Sequence, residues 1–270
     1  MTLCRCPFRA FVIGALILST PRAVALGQLP SEIRVLTYNI RHGEGMDGKV
    51  DLDRIAAVIR DARPDLVALE EVDQGTQRTK HVDQPAELAR LTGMQSVFGH
   101  NIDFQGGGYG TAVLCRLPIQ SQENHKLKSF YKGTKDHPEQ RGVQLIGLGS
   151  GKVTMAFLCT HLDYRQDDSE RFASVGTIDE LADKYSNLPI ILAGDLNALP
   201  DSRVIAELDK SWRRAVTNDL LTFPADAPKR LIDYVYFRPV DGWEIVEARV
   251  IEEPTASDHR PLLVVARRKP

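Results

Sequence analysis

Cysteine is scarce in this chain of 270 residues: there are 4, and two of them, Cys4 and Cys6, fall in a stretch that reads as a removable leader. Cys115 and Cys159 remain, each inside an apolar run. That is too few for a disulfide scaffold. Apart from Cys159 before His161, neither has a Cys or His at ligand spacing, which excludes a structural zinc site built on them. They can pair with each other or stay as two buried thiols. Aromatic residues make up only 7%, and Lys and Arg form no cluster with aromatics interleaved, which argues against a surface evolved to stack single-stranded nucleic acid. No low-complexity tract and no repeat of fixed period is present, so solenoid architectures are excluded. Long apolar runs are missing too, and no stable membrane span is expected.

The N-terminus does carry a short apolar run, Ala10 to Leu18, preceded by Arg5 and Arg9 and broken by Ser19, Thr20, Pro21 and Arg22. Ala23-Val24-Ala25 then has the small-x-small form of a cleavage site. Basic, apolar and small-residue segments in that order predict a signal peptide over residues 1–25, cut near Ala25, and a secreted or periplasmic mature protein. Loss of Arg5, Arg9 and Arg22 lowers Lys plus Arg from 34 to 31 against 36 acids, so the formal charge moves from −2 to −5. Such a balance does not suit tight non-specific binding to a polyanion, although the local field at a site matters more than the total.

What is present is a series of short apolar strands with abrupt polar endings. Ile33 to Ile40 reads as a strand that ends in Asn39. Asp51 or Asp53 caps a helix over Leu52 to Ala62, stopped by Arg63-Pro64. Leu66 to Leu69 runs into Glu70-Glu71, adjacent acids expected to point to opposite sides of their strand, so that only one faces a shared site. Ala86 to Leu91 reads as a helix ended by Gly93, residues 73–84 and 121–140 as polar loops, and Phe98 to Gly110 as a long glycine-rich loop. Thr111 to Cys115, Arg141 to Leu148 and Val153 to Cys159 are strands, the last two joined by a turn at Gly149 to Lys152. A helix from about Glu170 to Tyr185 leads to Ile190 to Ala193, a strand in which Gly194 is expected to start a turn before Asp195 and Asn197. A short helix near Val204 to Leu208 and strands at Leu231 to Phe237, Glu244 to Ile251 and Leu262 to Ala266 complete the chain. No clean boundary divides it, so one domain over residues 31–268 is expected, with sheets packed together and helices outside.

Asn39, Glu71, His161 with Asp163, Asp195 with Asn197, and Asp233 end or interrupt five apolar strands, and the loop Asp258-His259 adds a sixth group. One such ending is a turn; six in one chain imply a common mouth. Carboxylate and amide oxygens suit a hard cation, Mg2+ or Mn2+. Two histidines beside acids suit proton movement and donation to phosphate oxygens.

Thr37-Tyr38-Asn39-Ile40, Leu69-Glu70-Glu71-Val72, Thr160-His161-Leu162-Asp163, Gly194-Asp195-Leu196-Asn197, Ile232-Asp233-Tyr234 and Ser257-Asp258-His259-Arg260-Pro261 occur in this order. As an ordered set over about residues 31–268 they resemble the endonuclease/exonuclease/phosphatase superfamily, which includes pancreatic-type DNases, abasic-site endonucleases, inositol-polyphosphate phosphatases and bacterial sphingomyelinases. The resemblance implies an α/β (α+β) class protein: a DNase I-like, four-layer αββα sandwich with two central mixed β-sheets. It implies that Glu71 is the principal metal ligand with Asn39 beside it, and that Asp258 supports the metal or the site. Asp195 would orient or activate water, Asn197 and His161 would hold the phosphate, and His259 would act with Asp233. Arg141 and Tyr109 stand where similar residues often contact substrate; Arg141 can equally form a surface ion pair. Glu70 stands where the family often has Gln, and the resemblance assigns it no role. Glu71-Val72-Asp73 with Arg78-Thr79 and Asp83-Gln84 resembles a bacterial branch similar to domains linked with glycosyl-phosphatidylinositol processing.

The implied function is Mg2+-dependent hydrolysis of a phosphate mono- or diester by in-line attack of water, in a protein expected to be a monomer. The phosphorylated substrate is left open between a lipid head group, a small metabolite and a nucleic acid; a nuclease is the nearest alternative. From a different class, a catalytically silent binding module of the same fold predicts a missing catalytic position, and none is missing.

Overall fold

The computed structural model describes residues 30–130 and 139–269. The expected signal peptide and its cleavage site lie outside the described residues, as does part of the segment 121–140.

The first strand, β1 (Glu32–Asn39), shows how the layers arise. Side chains alternate along a strand. Ile33 and Val35 enter one core, while Leu36 and Tyr38 enter another. A strand buried on both faces needs a sheet on one side and a helix on the other. The helix is α1 (Leu52–Ala62), whose Ile55 and Ile59 pack with Leu36 and Tyr38. Its N-terminus is capped by Asp51, whose carboxylate accepts the Arg54 N–H at 3.0 Å. Next comes β2 (Leu66–Gln74), parallel to β1, and then α2 (Gln84–Thr92) beside α1. With β3 (Gln95–Phe104), β4 (Gly107–Cys115), β11 (Trp243–Val250) and β12 (Leu262–Arg268), the first sheet has the order β11-β12-β1-β2-β4-β3.

The second sheet, β5-β6-β7-β8-β10-β9, contains β5 (Ile119–Lys126), β6 (Gly142–Leu148), β7 (Met155–His161), β8 (Ile190–Asp195), β9 (Arg213–Arg214) and β10 (Asp233–Arg238). It too is antiparallel except at one pair, β7 with β8. The crossover between them is α3 (Ser169–Asp183), and α3 and α4 (Arg203–Leu208) bury Val175, Ile178, Val204 and Leu208 against it. The result is helices, sheet, sheet, helices, the DNase I-like αββα sandwich. No helix among the described residues is long and apolar enough to cross a membrane. Cys115 and Cys159 are free and buried.

Several local expectations are corrected. Phe98 to Gly110 is no loop: it holds most of the β3–β4 hairpin, turned by Gln105 and Gly106 with φ of 48° and 78°. Its glycines serve close approach; a Cβ at Gly110 would overlap the Gly99 carbonyl oxygen. Residues 119–126 form the exposed edge strand β5, whose polar sequence hides its pairing with β6. Gly194 lies inside β8 rather than starting a turn, and a Cβ there would overlap the Thr160 carbonyl oxygen of β7. The acids Glu70 and Glu71 straddle a bulge in the β2–β4 pairing, with Glu71 in the left-handed region at φ 58°. The bulge breaks strict alternation, and both acids border the same cluster.

Candidate active site

Three neighbouring strands of the second sheet end in register. His161 of β7 pairs with Asp195 of β8, and Asp195 pairs with Asp233 of β10. Residues opposite one another in a sheet share a face, so one row carries an imidazole and two carboxylates, all at most 4% exposed. The first sheet answers with Asn39, the register partner of Glu70 across β1 and β2. The Asn39 Nδ2 donates to Glu71 Oε1 at 3.1 Å and to Asp195 Oδ2 at 3.2 Å, which joins the two sheets at their common end.

The loop after β11 brings the last group. Ser257 Oγ donates to the Asn39 carbonyl at 2.7 Å and anchors the turn that carries Asp258 and His259. His259 lies against the Phe223 ring, with Nδ1 at 3.0 Å from Asp233 Oδ2 and Nε2 at 3.7 Å from Asp195 Oδ2. Burial opposes its protonation, but the charges of Asp233 and Asp195 and the bond to Asp233 outweigh that and push its pKa up to about 10. Asp195 moves up as well, to about 7, first because it is buried and then because Asp233 is charged beside it. Half-buried Asp258 stands 3.9 Å from Arg41.

Asn197 follows β8 in the left-handed region, φ 47°, a conformation Asn tolerates. Its N–H donates to Asp195 Oδ1 at 2.9 Å and its Nδ2 to the Leu162 carbonyl at 3.1 Å. That Nδ2 also lies 3.1 Å from His161 Nε2. The other ring nitrogen, Nδ1, is 2.9 Å from Arg141 Nη1. Burial, then the charges of Arg141 and His259, hold the His161 pKa well below its ordinary value.

Arg141 is 6% exposed and pairs at 2.6 Å with half-buried Glu139, so its guanidinium lies inside the protein rather than in a surface pair. Tyr109 is buried nearby, with its ring against Phe104 at 6.2 Å between centroids. Asp163 turns away from the cluster to Arg165, at 2.9 Å. Arg78 pairs with buried Asp73 at 2.7 Å, and Asp83 caps α2.

Two members were not assigned from sequence. Glu139 sits in a polar stretch with no local signal. Glu70 is fully buried, accepts from Thr37 Oγ1 at 3.2 Å and leaves Oε2 without a partner. Burial, then the charges of Asp233 and Asp195, raise its pKa well above the carboxylate range. Its signal was an acid at the end of an apolar strand.

The donor set fits a divalent cation. Glu71, Asp195 and Asp233 outnumber the one imidazolium that faces them, His259, and Asp233 Oδ1 is buried without a partner. Asp195, Asp233 and His259 each offer an atom within 4.8 Å of the others. A protonated His259 engaged with Asp233 is a poor ligand, however. The Glu71 carboxylate therefore suits the ion better; the Asn39 amide turns its Nδ2 to Glu71 and Asp195 and its Oδ1 to the Arg41 N–H at 3.1 Å.

Comparison with known proteins bears on this arrangement. The sequence profile of the Endonuclease/Exonuclease/phosphatase family matches residues 36–259. An uncharacterised protein of Escherichia coli K12, YbhP, is 27% identical over 247 residues, covering 85% of this chain and 94% of its own. The 5'-tyrosyl-DNA phosphodiesterase of Caenorhabditis elegans is 26% identical over 208 residues, 73% of this chain and 52% of that protein. A solved endonuclease/exonuclease/phosphatase structure from Beutenbergia cavernae superposes with a TM-score of 0.70 at 24% identity, over 88% of this chain and 72% of that one, a likeness of fold.

Proposed function

Because this chain belongs to the endonuclease/exonuclease/phosphatase family, we propose that it is a Mg2+-dependent phosphoesterase in which water attacks a phosphate ester in line. The observation that carries this reading is the register-matched row His161, Asp195 and Asp233 facing Asn39 and Glu71 across the sheets. The phosphodiesterase activity named for the Caenorhabditis elegans relative supports ester chemistry on this family's scaffold.

Asp195 accepts the proton of the attacking water. A carboxyl group with a pKa of about 7 is matched to that task near neutral pH. The imidazolium of His259, held by Asp233, faces the same oxygen of Asp195 and donates toward the phosphate or its leaving oxygen. His161 Nε2 and Asn197 Nδ2, 3.1 Å apart, hold a non-bridging oxygen. Glu71, bonded to the Asn39 Nδ2, would hold the ion, and Asp258, in the turn anchored on Asn39 by Ser257, would support the site; when bound the ion would offset charge developing on the phosphoryl group. The basic, apolar and small-residue order of residues 1–25 supports action outside the cytoplasm, on a phosphorylated lipid head group, metabolite or nucleic acid, by a protein we take to be a monomer.

The test is hydrolysis of bis-p-nitrophenyl phosphate and p-nitrophenyl phosphate by the wild type, Glu71→Gln and His259→Ala, with Mg2+, Mn2+ or EDTA. Metal-dependent turnover lost in both variants is expected, and the preferred compound assigns diester or monoester chemistry. Turnover indifferent to EDTA or to the variants overturns the mechanism.

A further inference from the structure

We propose that Arg141 is a positioning residue: it fixes His161 as the neutral tautomer whose only ring proton is on Nε2. The argument is one of donors and acceptors. Guanidinium only donates. Its Nη1 stands 2.9 Å from His161 Nδ1, so that nitrogen accepts and carries no proton. The neutral ring then holds its proton on Nε2.

That assignment changes what surrounds Nε2. The Asn197 amide is oriented by its Nδ2 bond to the Leu162 carbonyl. Its Nδ2 and the His161 Nε2–H are therefore two donors 3.1 Å apart. Among the described residues, the carboxylate oxygen recorded against Nε2, Asp195 Oδ2, is 3.5 Å away, beyond the range of a good hydrogen bond. Two donors with no acceptor between them suit one oxygen that enters there. This deepens the phosphoesterase reading and rests on it for naming that oxygen as a phosphate oxygen. A histidine with the opposite tautomer would present a lone pair to the same oxygen and repel it.

The rest of the arrangement holds Arg141 in place. Glu139 Oε1 takes the same Nη1 at 2.6 Å. Arg141 is buried and its Nε has no partner, so the side chain is held by these contacts rather than by solvent. Arg141 thus acts through His161 instead of reaching the substrate.

The experiment uses the full chain labelled with 15N at histidine. Long-range proton–nitrogen correlation spectra distinguish protonated from bare ring nitrogens, and the chain has 7 histidines. The His161 signals are those that His161→Gln removes. The expected wild-type pattern is bare Nδ1 with protonated Nε2. Arg141→Met should shift the ring toward the Nδ1 proton and lower kcat about 10- to 100-fold with KM little changed, the size of effect known for outer partners that orient metal-ligating histidines. Arg141→Lys, still a pure donor, should restore the tautomer and most of the rate. A wild-type ring protonated on Nδ1 overturns the proposal. So does a raised KM with the tautomer unchanged in Arg141→Met, which would make Arg141 a direct substrate contact. If Arg141→Met does not fold, the wild-type and Arg141→Lys spectra decide. The spectra need no turnover, so an inactive protein with the expected tautomer would fail the phosphoesterase reading alone.

Discussion

Asp195 and Asp233 face each other as cross-strand partners of β8 and β10, both about 1% exposed, with His259 reaching both carboxylates. Like charges directly opposite in a sheet are destabilising. Burial makes the pair costlier still, and only one imidazolium faces the two acids.

The first prediction concerns that cost. Asp195→Asn removes one of the two charges and the proposed base together. Turnover should fall at least about 100-fold, within the range for loss of a general base. The metal-free fold at pH 8 should be no less stable than the wild type. Thermal unfolding beside ester hydrolysis checks both, and a lower melting temperature with intact turnover would contradict the assignment.

The pH dependence follows from the same pair. The pKa of Asp195 is raised to about 7 in the fold, against a carboxylate range near 4 in the unfolded chain. The native state therefore binds more protons between these values, and stability falls as pH rises through that window. His259 is raised to about 10 from 6.5, so its contribution is full below pH 6.5 and is lost as pH rises toward 10. Urea unfolding in EDTA should show both declines, and Asp195→Asn should flatten the one between pH 4 and 7.

Glu70→Gln tests the neighbouring acid. The carboxyl of Glu70 is fully buried with one oxygen unpartnered, which favours its neutral form. A neutral amide of the same shape should leave turnover and melting temperature close to those of the wild type. Glu71→Gln, one residue along, should weaken Mg2+ binding at least about tenfold by calorimetry, as loss of a charged ligand would.

Gly194→Ala probes the close approach of β7 and β8. The added methyl overlaps the Thr160 carbonyl oxygen. A loss of about 1–3 kcal/mol is expected from overpacking alone. The urea midpoint should drop, and turnover should fall with it because His161 and Asp195 sit on the two displaced strands.

The chain itself determined the local features. Continuous apolar runs marked strands such as Ile190 to Ala193, and Asp51 and Gly93 marked helix ends, because each signal lies within a few residues. The same locality made Asn39, Glu71, His161, Asp195, Asp233 and His259 visible as polar breaks in apolar sequence. It failed where local composition misleads: glycines in β3 and β4 passed for a loop, and the polar edge strand β5 passed for a linker. Tertiary structure alone decided which of these groups meet. The Asn39–Asp195 bond spans 156 residues, and the Arg141–His161 contact spans 20 and depends on the register of β6 and β7. Such pairings are set by how two sheets pack and by one bulge at Glu71, and no short window of sequence carries that information.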